Sequence, residues 1–311
     1  MIRYALRVQY IGKNYAGSQL QLEKGKPVKG LPTIQGELEK ALSTLIKNSV
    51  SRCEPELDCR MTIQAGRTQR CRRCDRSENG GSEAICDCTG GIKGVSRYEP
   101  DGAKKYNRPI KAIFSGRTDR GVNSKGQIVH FDVEEPIVAS KFLYQMNEIL
   151  PDDISVDELR KVDENFHAQK SAVSRYYRFE FVNRKCKNAF DGDLLRVKYP
   201  IDIDRMQKSL NYLLGEHDFS SFKSSGTLNP SKVCTLSRAE CFRADGDRVI
   251  IDIEGNRFLY NMVRTIVGTL LEIEGHNLQP EHMKYVLDTK DRTKAGQTVS
   301  PYGLTLMKVN Y

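Results

Sequence analysis

Ser115-Gly116-Arg117-Thr118-Asp119-Arg120-Gly121-Val122, followed three residues later by Gly126-Gln127-Ile128-Val129-His130-Phe131, is the stretch on which the reading of this chain turns. Its first half combines two glycines, two arginines and one acid, the composition of a sharp loop. Its second half alternates, with Val129, Phe131 and Val133 on one face and Ile128, His130 and Asp132 on the other, the period of a half-buried strand. Ile113 and Phe114, just upstream, read as another strand, so one carboxylate is held in a tight connection between strands. On local chemistry alone, a glycine-flanked Asp in a turn is more often structural than catalytic. No Gly-Lys-Ser/Thr ending follows, which excludes a Walker phosphate loop.

Working outward, Ile2 to Tyr10 alternates as a strand. Thr33 is placed to cap a helix carrying Ile34, Leu38, Ala41, Leu42 and Leu45. From about residue 51 to 108 the periodicity gives way to Gly, Arg, Asp and Cys, which marks a loop-rich insertion. A helix is predicted over 140–150 and a linker near 163–166. The second half predicts strands over 175–182 and 248–253 and helices over 203–214 and 256–273. A further helix begins at Pro280 and a strand runs over 303–311. Two related α+β domains with largely antiparallel sheets are expected, 1–165 with the insertion and 166–311.

Forty-nine Lys and Arg against forty Asp and Glu give a formal charge of +9, which favours a polyanionic partner. No apolar run approaches the roughly 20 residues of a membrane helix, and no export signal is visible, so cytoplasm is the expected location. Six of the nine cysteines fall in the insertion, which points to reduced thiols or a metal site before disulfides.

The loop and strand resemble the Gly-Arg-Thr-Asp-x-Gly-Val-x-x-x-Gly-Gln-Val-Val-His-Phe signature of the TruA family of tRNA pseudouridine synthases. Further matches run in order along the chain: Tyr10-Ile11-Gly12, Ile34-Gln35, Phe166-His167-Ala168, Arg175-Tyr176-Tyr177-Arg178, Gly215-Glu216-His217-Asp218-Phe219, Met262-Val263-Arg264 and Gly303-Leu304. The resemblance covers nearly everything except the insertion. It implies the pseudouridine synthase fold, with two α+β domains joined across a central basic cleft. The implied reaction is the isomerisation of uridine to pseudouridine in tRNA, at positions 38–40 of the anticodon stem-loop in members of bacterial type. It further implies a homodimer and no cofactor for the chemistry.

By the same resemblance Asp119 is the essential carboxylate, either nucleophile or base, with Arg264 as its ion-pair partner. Tyr177 lies against the target base, Leu304 packs on the uracil, and Arg117 enters the space left by the extracted nucleotide. Each has a plainer reading. Arg264 can lay its stem on the core and its head in water, Tyr177 can be a core aromatic, Leu304 an ordinary strand leucine and Arg117 a solvated loop residue. Tyr176 is a rival for Tyr177, because a one-residue slip exchanges the two faces.

Two positions depart from the family pattern. Ser18 follows Gly17 where an aromatic residue is usual, and Asn123 replaces a common histidine. In the insertion, Cys71 and Cys74 form one CxxC, and Cys86 and Cys88 one CxC. These four thiolates suit structural zinc, with free or redox-active thiols as the alternative. The rival functions are an idle RNA-binding protein or tRNA chaperone of the same fold, a related synthase acting on another RNA site, and a zinc-dependent RNA-binding regulator.

Overall fold

The computed structural model describes residues 1–19, 22–23, 26–27, 30–50, 110–224 and 231–311. The insertion and its Cys71, Cys74, Cys86 and Cys88 lie outside the described residues. The first elements are β1 (Ile2–Tyr10), the short hairpin β2 (Leu22–Glu23) and β3 (Lys26–Pro27), and α1 (Ile34–Val50). After the insertion come β4 (Ile113–Phe114), β5 (Asn123–Val133), α2 (Ala139–Ile149) and β6 (Ile154–Val162). The remainder is β7 (Ser174–Asn183), β8 (Leu195–Val197), α3 (Ile203–Asn211), β9 (Gly215–Asp218), β10 (Val233–Ala244), β11 (Arg248–Gly255), α4 (Met262–Gly275), α5 (Glu281–Thr289) and β12 (Leu304–Asn310).

Ten of these strands form one sheet in the order β6-β1-β5-β12-β7-β11-β10-β9, with β4 added to β5 and β8 to β7. Most pairings are antiparallel, so this is an α+β architecture, as the pattern predicted. Strands from the first half of the chain lie on one side of the β5–β12 junction. Apart from β12 itself, which closes that junction, those of the second half lie beyond it. The junction is a short parallel contact, Thr305 beside Asn123 and Leu306 beside Ser124. Because β12 also pairs with β7, the two segments carrying Asp119 and Tyr177 become near neighbours through a strand from the far end of the sequence.

The alternation of β1 buries Tyr4, Leu6, Val8 and Tyr10, and Tyr4 stacks on Phe131, which in turn stacks on Phe142 of α2. On the other side, Phe179, Phe181, Ile251 and Ile253 form one apolar cluster with residues of α3, α4 and α5. Each such side chain contributes about 1.5–3 kcal/mol on burial, enough collectively to hold the helices on that face. Among the described residues no helix is long and apolar enough to cross a membrane.

Several elements differ from the sequence reading, and β2, β3, β8 and β9 are too short to show a period. The helix expected over 256–273 starts only at Met262, because Asn261 adopts a left-handed conformation, φ 60°, that a continuing helix cannot contain. β10 carries no single alternation along the sequence, because a bulge between Leu236 and Arg238 moves the buried positions from Cys234 and Leu236 to Ala239 and Cys241, breaking the two-residue period. β6 is an edge strand whose second half is polar and solvated, so its alternation fades.

Candidate active site

The loop after β4 is fastened at several points before its carboxylate is reached. Ser115 N–H donates to Ile128 O at 2.8 Å, and Val122 N–H closes a turn on Asp119 O at 3.1 Å. Gly121 occupies the third position of that turn with φ 82°, where a side chain would be strained and would press on Pro301 and Tyr302. The middle of the loop is clamped to the segment after β1. Ser18 N–H donates to Thr118 O at 3.1 Å, and Ser18 Oγ accepts Thr118 N–H at 2.8 Å. Gly17, φ 124°, permits this approach, since a Cβ there would stand 2.9 Å from Thr118 O.

Beneath the loop runs a buried polar network. Tyr10 Oη and Thr118 Oγ1 share a hydrogen bond of 2.8 Å, and Gln127 Nε2 donates to Gly116 O at 3.0 Å. Ser115 Oγ donates to Gln127 Oε1. Burial raises the Tyr10 pKa, so its phenol stays neutral. Every buried polar group here is satisfied by another, and such a network specifies one loop geometry.

Asp119 is half-buried on this platform. Burial holds its carboxyl above the ordinary aspartate range, opposed first by the charge of Arg264 and then by that of Arg117. Arg264 comes from the first turn of α4. Its Nε donates to Val299 O at 2.8 Å and its Nη1 to Asn261 Oδ1 at 2.7 Å. Burial lowers the guanidinium pKa, and Asp119 is the first influence restoring it. The two groups therefore couple through space, while the hydrogen bonds that orient Arg264 are to Val299 and Asn261. Asn261 is itself tied by its Nδ2 to Ser224 Oγ at 3.0 Å.

Tyr177 shares the inward face of β7 with Phe179 and packs edge-on against Phe258, ring centroids 5.0 Å apart. Its pKa is raised, by burial first, then by Tyr10 and by Asp119. Tyr176 points to the opposite face, where its hydroxyl accepts from Arg178 Nη2 at 3.0 Å and Arg238 lies over its ring. Tyr177 is thus the ring on the Asp119 side. Leu304 is buried in the same apolar cluster as Val122, opposite Phe179 in the ladder. Arg117 is exposed, two residues before Asp119 and electrostatically coupled to it.

Asp119, Arg264 and Tyr177 are therefore brought together from a loop, a helix and a strand. Leu304 lies in the adjoining apolar wall and Arg117 at the solvent side. Sequence reasoning assigned no role to Tyr10, Ser18, Gln127 or Arg175, which support the loop from below. The departure at Ser18 was the available signal: a hydroxyl at a buried position needs a partner. Asn123, the other departure, accepts Gly12 N–H at 2.9 Å and donates to Tyr302 O at 3.3 Å. Among the described residues no group of three His, Cys, Asp or Glu side chains is arranged to hold a metal ion.

Residues 210–311 match the family described as tRNA pseudouridine synthase. The chain is 35% identical over 310 residues to the tRNA pseudouridine synthase A of Buchnera aphidicola subsp. Schizaphis graminum, covering 99% of this chain and 92% of that protein. It is 31% identical over 311 residues to the protein of the same name from Colwellia psychrerythraea, covering 100% and 94%. With the Bacillus pumilus protein of that name the identity is 38% over 208 residues, 67% of this chain and 84% of the relative. A solved chain of a Cbf5-Nop10-Gar1 complex is similar over 53% of this chain and 36% of its own, at 9% identity and a TM-score of 0.30, too slight a likeness to carry argument.

Proposed function

Because the chain belongs to the TruA family of tRNA pseudouridine synthases, we propose that Asp119, Arg264 and Tyr177 carry out the isomerisation of uridine to pseudouridine in tRNA. The observation that supports this assignment is the electrostatic coupling of one half-buried carboxylate to both Arg264 and Tyr177. The reaction breaks the N1–C1′ bond, turns the uracil and joins C5 to C1′, while one proton leaves C5 and one is gained at N1. Atoms and electrons balance, so no redox cofactor or energy donor is drawn upon.

Asp119 acts on the ribose, as nucleophile at C1′ or as base at the C2′ proton, and both roles require the ionised carboxylate. Arg264 supplies the charge that favours ionisation against burial. Tyr177 enters as a neutral phenol that packs on the base, where its hydroxyl is placed to relay the proton that leaves C5, taking it up as its own proton passes on. Leu304 contributes to the apolar wall beside the uracil. Extraction of the nucleotide costs a few kcal/mol of stacking, and Arg117, planar and exposed, fills the vacated space and contacts phosphate. The proposed targets are uridines 38–40 of the anticodon stem-loop, and the proposed working form is a cytoplasmic homodimer. The family resemblance supports both.

The test is incubation of wild type and Asp119→Asn with unmodified tRNA transcripts, followed by position-resolved pseudouridine mapping. Product at positions 38–40 from wild type alone is expected. Product at other sites would move the target. Tight tRNA binding with no product from wild type would overturn the assignment in favour of an idle RNA-binding protein.

A further inference from the structure

Arg175 is a half-buried arginine with an unusual set of partners. Nη1 donates to Ala172 O at 3.1 Å and to Asn256 O at 2.7 Å, and Nη2 donates to Ser115 O at 3.1 Å and to Gln169 O at 2.9 Å. All four acceptors are main-chain carbonyls, drawn from three separate segments. They are the turn before β7, the loop after β11, and the first residue of the loop that bears Asp119. No carboxylate pairs with it among the described residues, and burial lowers its pKa.

A guanidinium withdrawn from water without a counter-ion is a costly way to hold three segments together, and apolar side chains would pack there more cheaply. What the cation offers is a rigid, planar fork of donors with fixed directions. That fork spans the two halves of the site. Ser115 begins the loop whose fifth residue is Asp119, and its N–H and Oγ are already committed to Ile128 and Gln127. Its carbonyl is the remaining main-chain handle, and Arg175 takes it. Two residues along the same strand face stands Tyr177. One side chain thus ties the origin of the carboxylate loop to the strand that presents the aromatic ring.

We infer that Arg175 is a positioning residue for the isomerisation, fixing the separation of Asp119 and Tyr177 by bonding the Ser115 carbonyl from the Tyr177 strand. The inference rests on the function proposed above. A displacement of about an ångström between reacting groups costs on the order of a hundredfold in rate, so loss of the fork is read in the chemical step more than in tRNA affinity.

The experiment is single-turnover pseudouridine formation at saturating enzyme, with tRNA affinity measured separately, for wild type, Asp119→Asn, Arg175→Lys, Arg175→Met and Arg175→Gly. Arg175→Met is expected to lower the rate constant about ten- to a hundredfold while the dissociation constant for tRNA stays within about threefold. Arg175→Lys, able to reach fewer carbonyls, falls between it and wild type, and millimolar methylguanidinium partly restores Arg175→Gly. Simple loss of fold would lower the fraction of folded protein, read by circular dichroism, and leave the rate constant at saturating folded enzyme unchanged. That result, or a wild-type rate constant in Arg175→Met, overturns the inference. If Arg175→Met and Arg175→Gly do not fold, Arg175→Lys decides: a rate constant equal to wild type rejects the inference and a several-fold loss at unchanged affinity supports it. An inactive wild type would instead reject the proposed function, so the two failures are distinct.

Discussion

Arg264 and Asp119 are coupled by charge while the guanidinium is held by other groups, the carbonyl of Val299 and the side chain of Asn261. The cation is thereby oriented independently of the carboxylate whose pKa its charge lowers. Burial raises the Asp119 pKa and Arg264 is the strongest influence pulling it back. Replacing Arg264 with Met therefore moves the acid limb of the pH–rate profile to higher pH, where wild type is still fully active. Arg117→Met shifts it less, because Arg117 is the smaller influence. Single-turnover rates measured across the acid range check this, and an unmoved limb would count against the pairing.

The same pKa carries a stability consequence of defined sign. A carboxyl whose folded pKa lies above its unfolded value binds more protons in the native state, so its ionisation destabilises the fold as pH rises through that interval. Asp119→Asn, which mimics the protonated form, is expected to melt at a slightly higher temperature than wild type at neutral pH. The difference shrinks as pH falls below the ordinary aspartate value. Calorimetry at several pH values tests it, and a lower melting temperature at neutral pH would show the charge to be stabilising.

Asn261 performs two tasks that can be separated. Its left-handed backbone suits Asn or Gly better than Ala, and its side chain orients Arg264. Asn261→Ala should lose about 1–2 kcal/mol of stability and also activity. Asn261→Gly should recover most of the stability and little of the rate. Equal recovery of both would mean that the side-chain bond is dispensable.

Tyr177 and Tyr176 face opposite sides of β7, and only Tyr177 faces Asp119. Tyr177→Leu is expected to reduce the single-turnover rate by about a hundredfold or more. Tyr176→Leu disturbs the Arg178–Asp252 ion pair on the far face and leaves the rate within about threefold. The reverse order would place the other ring in the site.

His130 is buried, and its Nδ1 accepts the N–H of Ala168 at 3.1 Å. Burial, with Arg3 and His167 nearby, lowers its pKa to about 4. Because the unfolded chain binds the proton more readily, stability is expected to fall as pH drops from the ordinary histidine value of about 6.5 toward about 4. Denaturant titrations of wild type and His130→Gln test this. The variant should lose less stability over that interval, and parallel pH curves would assign the acid sensitivity elsewhere.

Much of this protein was legible along the chain. The alternation in β1, β5 and β7, the periodicity of α1 and α2, and the α+β class follow from which side chains must leave water, a property carried by each residue and its neighbours at fixed spacing. The Gly-Arg-Thr-Asp loop carried its own resemblance, since the motif is contiguous. Tertiary structure decided the rest. Which of Tyr176 and Tyr177 faces Asp119 depends on the side of β7 that meets the helices, and β10 was hidden by a bulge that reverses its parity. Apart from the Asn261 side chain on Arg264, the hydrogen-bond partners of Arg264 and Arg175 are main-chain carbonyls at Val299, Ser115, Gln169, Ala172 and Asn256, and carbonyls are the same in every residue. A side chain's chemistry is written in the sequence, but the backbone groups that will satisfy it are chosen only when distant segments are packed together, because hydrogen bonds act over about 3 Å and the chain alone does not specify that proximity.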